Sequence, residues 1–283
     1  MKYLLTFLFL VLLAGCGGPE AADVEPYAPE LPVEYAVRLP HDFDPTEDYP
    51  LVVALHGYDR TEAQATALWD AGFFFMPEFI LLAIRAPFDA GVGYAWYRDP
   101  TEGEDPATAR RRSARTAEEL LLTALEEFEA QYLVDANQRV LLGFGQGAGV
   151  ACWVAPRCQE LFSALALFGR PDLELAAAAG TAGLDQFDVF VAGPGDDAPR
   201  AEQFFRDAGA QVRHFALPGP AASAAALRAM QNEFDISAET APEDDLGYDD
   251  EGEPVPGARL QPADWGDEPA TAVVESQNQA QAR

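Results

Sequence analysis

The chain has 283 residues, with 47 acidic against 18 basic side chains and a formal net charge of −29. That balance argues against nucleic acid as a partner, because neutralising phosphates takes clustered Lys and Arg. It also removes electrostatic attraction to anionic lipid. Three His and three Cys, scattered along the chain, are too few and too far apart for a zinc site. No EF-hand or phosphate-binding loop is present, so neither metal nor cofactor is expected.

Taken from the N-terminus, Met1-Lys2-Tyr3 is followed by apolar residues from Leu4 to Ala14. One positive residue and a short apolar run have the layout of a secretory signal, too short to span a bilayer as a stable helix. The run ends in Leu13-Ala14-Gly15-Cys16, which resembles the bacterial lipobox. That resemblance implies a signal peptide over 1–15, cleavage before Cys16, and acylation of Cys16 as the new N-terminus. The membrane partner would then be lipid reached through Cys16, in the cell envelope. Gly17, not Asp, follows, which favours the outer over the inner membrane. Residues 16–31, rich in Gly, Pro, Ala and acid, are expected to be a flexible tether.

Residues 32–236 carry the periodicities of one domain, a length sufficient for a full core. Val33 to Leu39 alternates like a strand. Leu51 to Leu55 and Phe79 to Ile84 are continuous apolar runs of the buried parallel-strand type. Between them, Phe73-Phe74-Phe75-Met76 is expected in the core. Arg112 to Tyr132 places Leu121, Leu125, Phe128 and Tyr132 at helical spacing. Arg139 to Leu142 is a third buried strand, followed at once by Gly143-Phe144-Gly145-Gln146-Gly147 and a helical stretch. Leu165 to Phe168, Val189 to Ala192 and Gln211 to Leu217 supply further strands, with helices over Ala198 to Ala208 and Ala221 to Phe234. Strand and helix in alternation imply a mostly parallel sheet covered on both faces, an α/β fold. Cys152 and Cys158 admit either a disulfide, if the helix stops at Pro156 and the chain folds back, or two buried thiols.

From Ser237 to the end, 12 Asp and Glu stand against 2 Arg. Such a segment cannot bury enough apolar surface to offset its chain entropy. Residues 237–283 are therefore expected to be a disordered acidic tail; a partner-binding tail would use Leu246, Tyr248 and Trp265 as anchors.

The segments PLVVALHGYD, AWYRD, RVLLGFGQGAGVACWVA, ALFGRP and VFVAGPGDDAP together resemble, in order and spacing, the phospholipase/carboxylesterase group of the α/β-hydrolases. The resemblance covers roughly residues 33–234 and implies the α/β-hydrolase fold. In that group the turn after the fifth sheet strand reads Gly-Phe-Ser-Gln-Gly, and its Ser is the nucleophile, raised on a strained strand-to-helix turn. Here Gly145 occupies that place, so no acyl-enzyme can form there. The nucleophile's backbone conformation costs a residue with a Cβ about 1–3 kcal/mol, a cost Gly avoids. The turn is thus expected to keep its shape without its reagent. Gly193-Pro194-Gly195-Asp196 matches the turn of the family's acid, so Asp196 is either the retained acid or an ordinary turn residue. The loop of the base, Leu217 to Ala222, has no His; Ala221 or its neighbour stands in its place. Among the three His, His41 falls in an entry turn, His56 in the His-Gly of the oxyanion loop and His214 on the last strand, none where the base belongs.

The resemblance also implies that His56-Gly57-Tyr58 and the Gln146 amide form the two halves of an oxyanion hole. Trp96 is either a cleft wall or core packing. Two functions follow: a tethered, non-catalytic esterase-like protein binding a small acyl or carbonyl ligand or docking a protein, or a carboxylic-ester hydrolase working by an altered route, with water activated by Asp196.

Overall fold

The computed structural model describes residues 25–27, 33–40, 42–72, 79–193, 195–216, 226–227 and 229–230. Its strands are β1 (Tyr35–Arg38), β2 (Tyr49–Leu55), β3 (Ile80–Ile84), β4 (Phe88–Asp89), β5 (Tyr94–Ala95), β6 (Val134–Phe144), β7 (Ala164–Phe168), β8 (Asp188–Gly193) and β9 (Gln211–Ala216). Its helices are α1 (Glu62–Gly72), α2 (Pro106–Glu129), α3 (Gln146–Val154), α4 (Leu173–Ala179) and α5 (Asp197–Asp207).

Seven strands form one sheet in the order β1-β3-β2-β6-β7-β8-β9. Only β1 runs antiparallel, on the edge beside β3; every other pair is parallel. The alternation within each strand assigns its two faces. Leu51, Val53, Leu55, Leu141, Leu165 and Val189 pack with α2, α3, α4 and α5. Val52, Ala54, Leu81, Leu142, Ala166 and Phe190 pack on the other side against Ala65 of α1 and against Leu227 and Met230. Burial on both faces explains why β2, β3 and β7 are unbroken apolar runs. β4 and β5 pair separately as a short antiparallel hairpin.

Helix α2 begins where its sequence says it can: Asp105 accepts the Thr108 N–H at 2.9 Å and Pro106 follows it, a capping acid with Pro in the first turn. Its buried Glu118 ties it to α3. The Glu118 carboxylate accepts the Trp153 indole N–H and the Arg157 Nε–H, each at 2.8 Å. A buried carboxylate is tolerable only with such partners.

The structure corrects two expectations and decides one alternative left open. Tyr27, placed in the tether by composition, is buried: its N–H donates to Thr116 Oγ1 and its hydroxyl to Glu104 Oε1, both at 2.8 Å. The Arg112 guanidinium lies 4.2 Å from its ring centroid, so one aromatic residue in an otherwise polar segment supplies enough contact to dock it. Of the two states left open for Cys152 and Cys158, the structure has the buried free thiols. The helical turn continues past α3, with Cys158 N–H bonded to Val154 O. Six residues of such turn separate the Cα atoms by about 9 Å, beyond the reach of roughly 7 Å for a bridge. Last, β6 extends well past Arg139–Leu142 at both ends. The helix expected over Ala221 to Phe234 is represented by helical residues 226–227 and 229–230. Cys16, His41, the Phe73–Met76 block, Ala221 and the acidic tail lie outside the described residues.

Candidate functional site

The centre of the site is the turn that joins β6 to α3. Gly145 adopts φ 54° and ψ −111°, a backbone region that strains any residue with a Cβ. Its N–H donates to Phe168 O at 2.8 Å, and its carbonyl accepts the Ala148 N–H at 3.1 Å. Both flanks leave no room for side chains. A Cβ on Gly147 would collide with the carbonyl oxygen of Leu55 and stand 2.7 Å from that of His56; one on Gly143 would meet Ala148 backbone at 2.5 Å. Three glycines thus do different work: Gly143 and Gly147 allow close packing, and Gly145 supplies the positive φ.

Gly145 differs from its flanks in what lies beyond it. Among the described residues, a Cβ there would meet only Gly57 Cα, at 3.8 Å. The turn therefore has space beside Gly145 among the described residues, and Gly145 itself carries no side chain. Gln146 opens α3, so its N–H has no acceptor one turn earlier in the helix. With Gly57 it flanks this space, as the two halves of an oxyanion hole would.

Other expected site residues hold the turn from behind. Trp96 and His56 are buried, and neither lines the pocket over Gly145. The Trp96 indole N–H donates to His56 O at 2.7 Å, and its backbone N–H to Gln146 Oε1 at 3.1 Å. His56 Nε2 accepts the Ala86 N–H at 3.0 Å, which places the ring proton on Nδ1, 2.8 Å from Gly57 O. Burial is the main reason that the His56 pKa is lowered, opposed by the Gly57 bond. With both nitrogens engaged and its basicity reduced, His56 cannot serve as the missing base. His214 points elsewhere: its Nδ1 lies 2.9 Å from Glu202 Oε2 on α5. Tyr58 is 59% exposed. Asp196 is exposed in the turn before α5, and its side chain makes no capping hydrogen bond.

Over Gly145 opens a pocket of about 580 Å³. Besides Gly145 and Gln146, its wall includes residues that sequence reasoning did not single out: Tyr97, Arg110, Arg170, Asp172, Asp197 and Arg200. They come from the segment before α2, from α2, from the loop after β7 and from α5, and no local motif joins them. Two salt bridges organise the wall, Arg110 Nη1 to Asp172 Oδ2 at 3.0 Å and Arg170 Nε to Asp197 Oδ2 at 2.9 Å. The Tyr97 hydroxyl, held 3.4 Å from Gln146 O, has its pKa raised well above the ordinary value, first by burial and then by the Asp172 charge.

This sheet order, with a positive-φ strand-to-helix turn at its centre, is that of the α/β-hydrolase fold. Among solved structures the chain is similar to esterase PE8, with a TM-score of 0.55 and 22% identity over 71% of this chain and 99% of that one. It is similar too to a phospholipase/carboxylesterase from Dyadobacter fermentans, at TM-score 0.54 and 18% identity over 72% and 97%. The Bacillus cereus carboxylesterase aligns at TM-score 0.52 and 16% identity over 72% and 93%. The likeness is one of fold. No protein-family model and no curated protein matches the chain.

Proposed function

We propose that this chain is a membrane-tethered, non-catalytic protein of the esterase fold, which binds a small acyl or carbonyl ligand, or docks a protein, in the cleft above Gly145. The observation that supports the reading is Gly145 itself: its backbone has a positive φ, and among the described residues a Cβ there would meet only Gly57 Cα. Losing nucleophile and base removes both the covalent route and its proton shuttle. Asp196 as sole base would have to activate an unassisted water, a weak substitute.

The envelope location rests on the lipobox-like sequence ending in Cys16. Several acyl chains anchor stably where one binds reversibly, and an acidic protein needs such an anchor, since charge does not draw it to lipid. Flotation of the full chain with vesicles, lost in Cys16→Ser, is the expected result; unchanged flotation would refute the anchor.

For the cleft, p-nitrophenyl acetate hydrolysis by the pure full chain is expected to match buffer. Saturable turnover abolished by Asp196→Ala would establish the altered-route hydrolase instead.

A further inference from the structure

The wall of the pocket above Gly145 is charge-balanced, three arginines against three acids. In a chain where acids outnumber bases 47 to 18, three arginines line this one cavity, Arg110, Arg170 and Arg200. The facing acids are Asp172, Glu174 and Asp197. Asp172 is fully engaged: Oδ1 accepts the Leu175 N–H and Oδ2 accepts Arg110 Nη1, both at 3.0 Å. Asp197 Oδ2 accepts Arg170 Nε at 2.9 Å.

The donors are not used up in the same way. A guanidinium carries five N–H groups in a planar fork. One from Arg110 and one from Arg170 are engaged with those acids, and the Arg200 side chain has no hydrogen bond or ion pair with a described residue. The cavity thus offers spare cationic donors beside the space at Gly145.

We propose that the pocket binds a small organic carboxylate, its oxygens held by the guanidinium groups of Arg110, Arg170 and Arg200. A carboxylate supplies only acceptors and carries the charge that a planar fork matches best. The inference rests on the reading of the cleft as a binding site and gives that site its ligand class. It also reverses the preference that ester hydrolysis requires: a neutral ester presents weaker acceptors and no charge, so the pocket favours an acid over its ester.

The test is calorimetric titration of the full lipidated chain, in detergent micelles at low salt, with phenylacetate, methyl phenylacetate and inorganic phosphate. Phenylacetate is expected to bind about tenfold or more tighter than its methyl ester, since a hydrogen bond to a charged group is worth that much. Arg200→Gln, at an exposed position whose side chain has no hydrogen bond or ion pair among the described residues, is expected to fold normally and to weaken phenylacetate by a similar factor. Equal affinity for acid and ester, tighter binding of phosphate, no binding of any probe, or no effect of Arg200→Gln would each overturn the carboxylate assignment. Saturable hydrolysis of methyl phenylacetate to phenylacetate and methanol would overturn the non-catalytic reading beneath it.

Discussion

The two turns that would carry a hydrolase's reagents differ in what holds them. The Gly143–Gly147 turn is locked by backbone against backbone: Leu55 and His56 carbonyls behind Gly147, Ala148 behind Gly143, and hydrogen bonds on both sides of Gly145. The turn at Asp196 is exposed and its side chain caps nothing. Shape at the first turn is a consequence of core packing and persists without chemistry. At the second, packing places no demand on the acid, so its presence says little about use. Retention of architecture and retention of reactivity are separate properties, set by different contacts.

Substitutions break that comparison at graded cost. Gly147→Ala is expected to be the most damaging, by about 3 kcal/mol or more, because the atoms it strikes are strand backbone and cannot move aside. Urea denaturation measures it, and a change below 1 kcal/mol would contradict the packing described. Gly145→Ser should cost about 1–2 kcal/mol, from backbone strain alone, since the space above is open. On the proposed reading it restores no ester turnover, since the loop Leu217 to Ala222 has no His in its sequence. Asp196→Ala should change stability by less than about 0.5 kcal/mol, and a larger loss would show that its turn is held after all.

Acid sharpens the same contrast. His56, buried behind the locked turn, has its pKa lowered in the fold. The unfolded chain gains a proton as pH falls through the ordinary imidazole value, about 6.5, before the folded chain does. The stability that His56 contributes is therefore complete above that value and is lost as pH falls toward its lowered folded pKa. The urea midpoint is expected to fall as pH drops through this window, and to fall less in His56→Gln. An identical pH dependence in the two proteins would contradict the assignment of a neutral, doubly engaged ring.

Much of the frame is legible from sequence, and the reason is burial. β2, β3 and β7 lie between two helical layers, so each reads as an unbroken apolar run. The turn at Gly145 is legible through the resemblance of RVLLGFGQGAGVACWVA to the phospholipase/carboxylesterase group. β6 extends beyond its apolar run because Asp135, Asn137 and Gln138 are polar residues carried on its more exposed end. Ala-rich α1 and the two-residue strands β4 and β5 lack a periodic signal. Tyr27 escaped because its segment has a linker's composition, and its partners lie 77 and 89 residues away. The pocket wall escaped for the same reason: Arg110, Arg170 and Arg200 are neighbours only after folding.

The most direct test of the central claim is treatment of the full chain with a fluorophosphonate, which traps an activated serine covalently, followed by intact mass measurement. The account predicts an unmodified mass for the chain and equally for Gly145→Ser, whose hydroxyl has no base to activate it. A stoichiometric adduct on the unaltered chain would show that a nucleophile and base do meet in this fold, and would contradict the account.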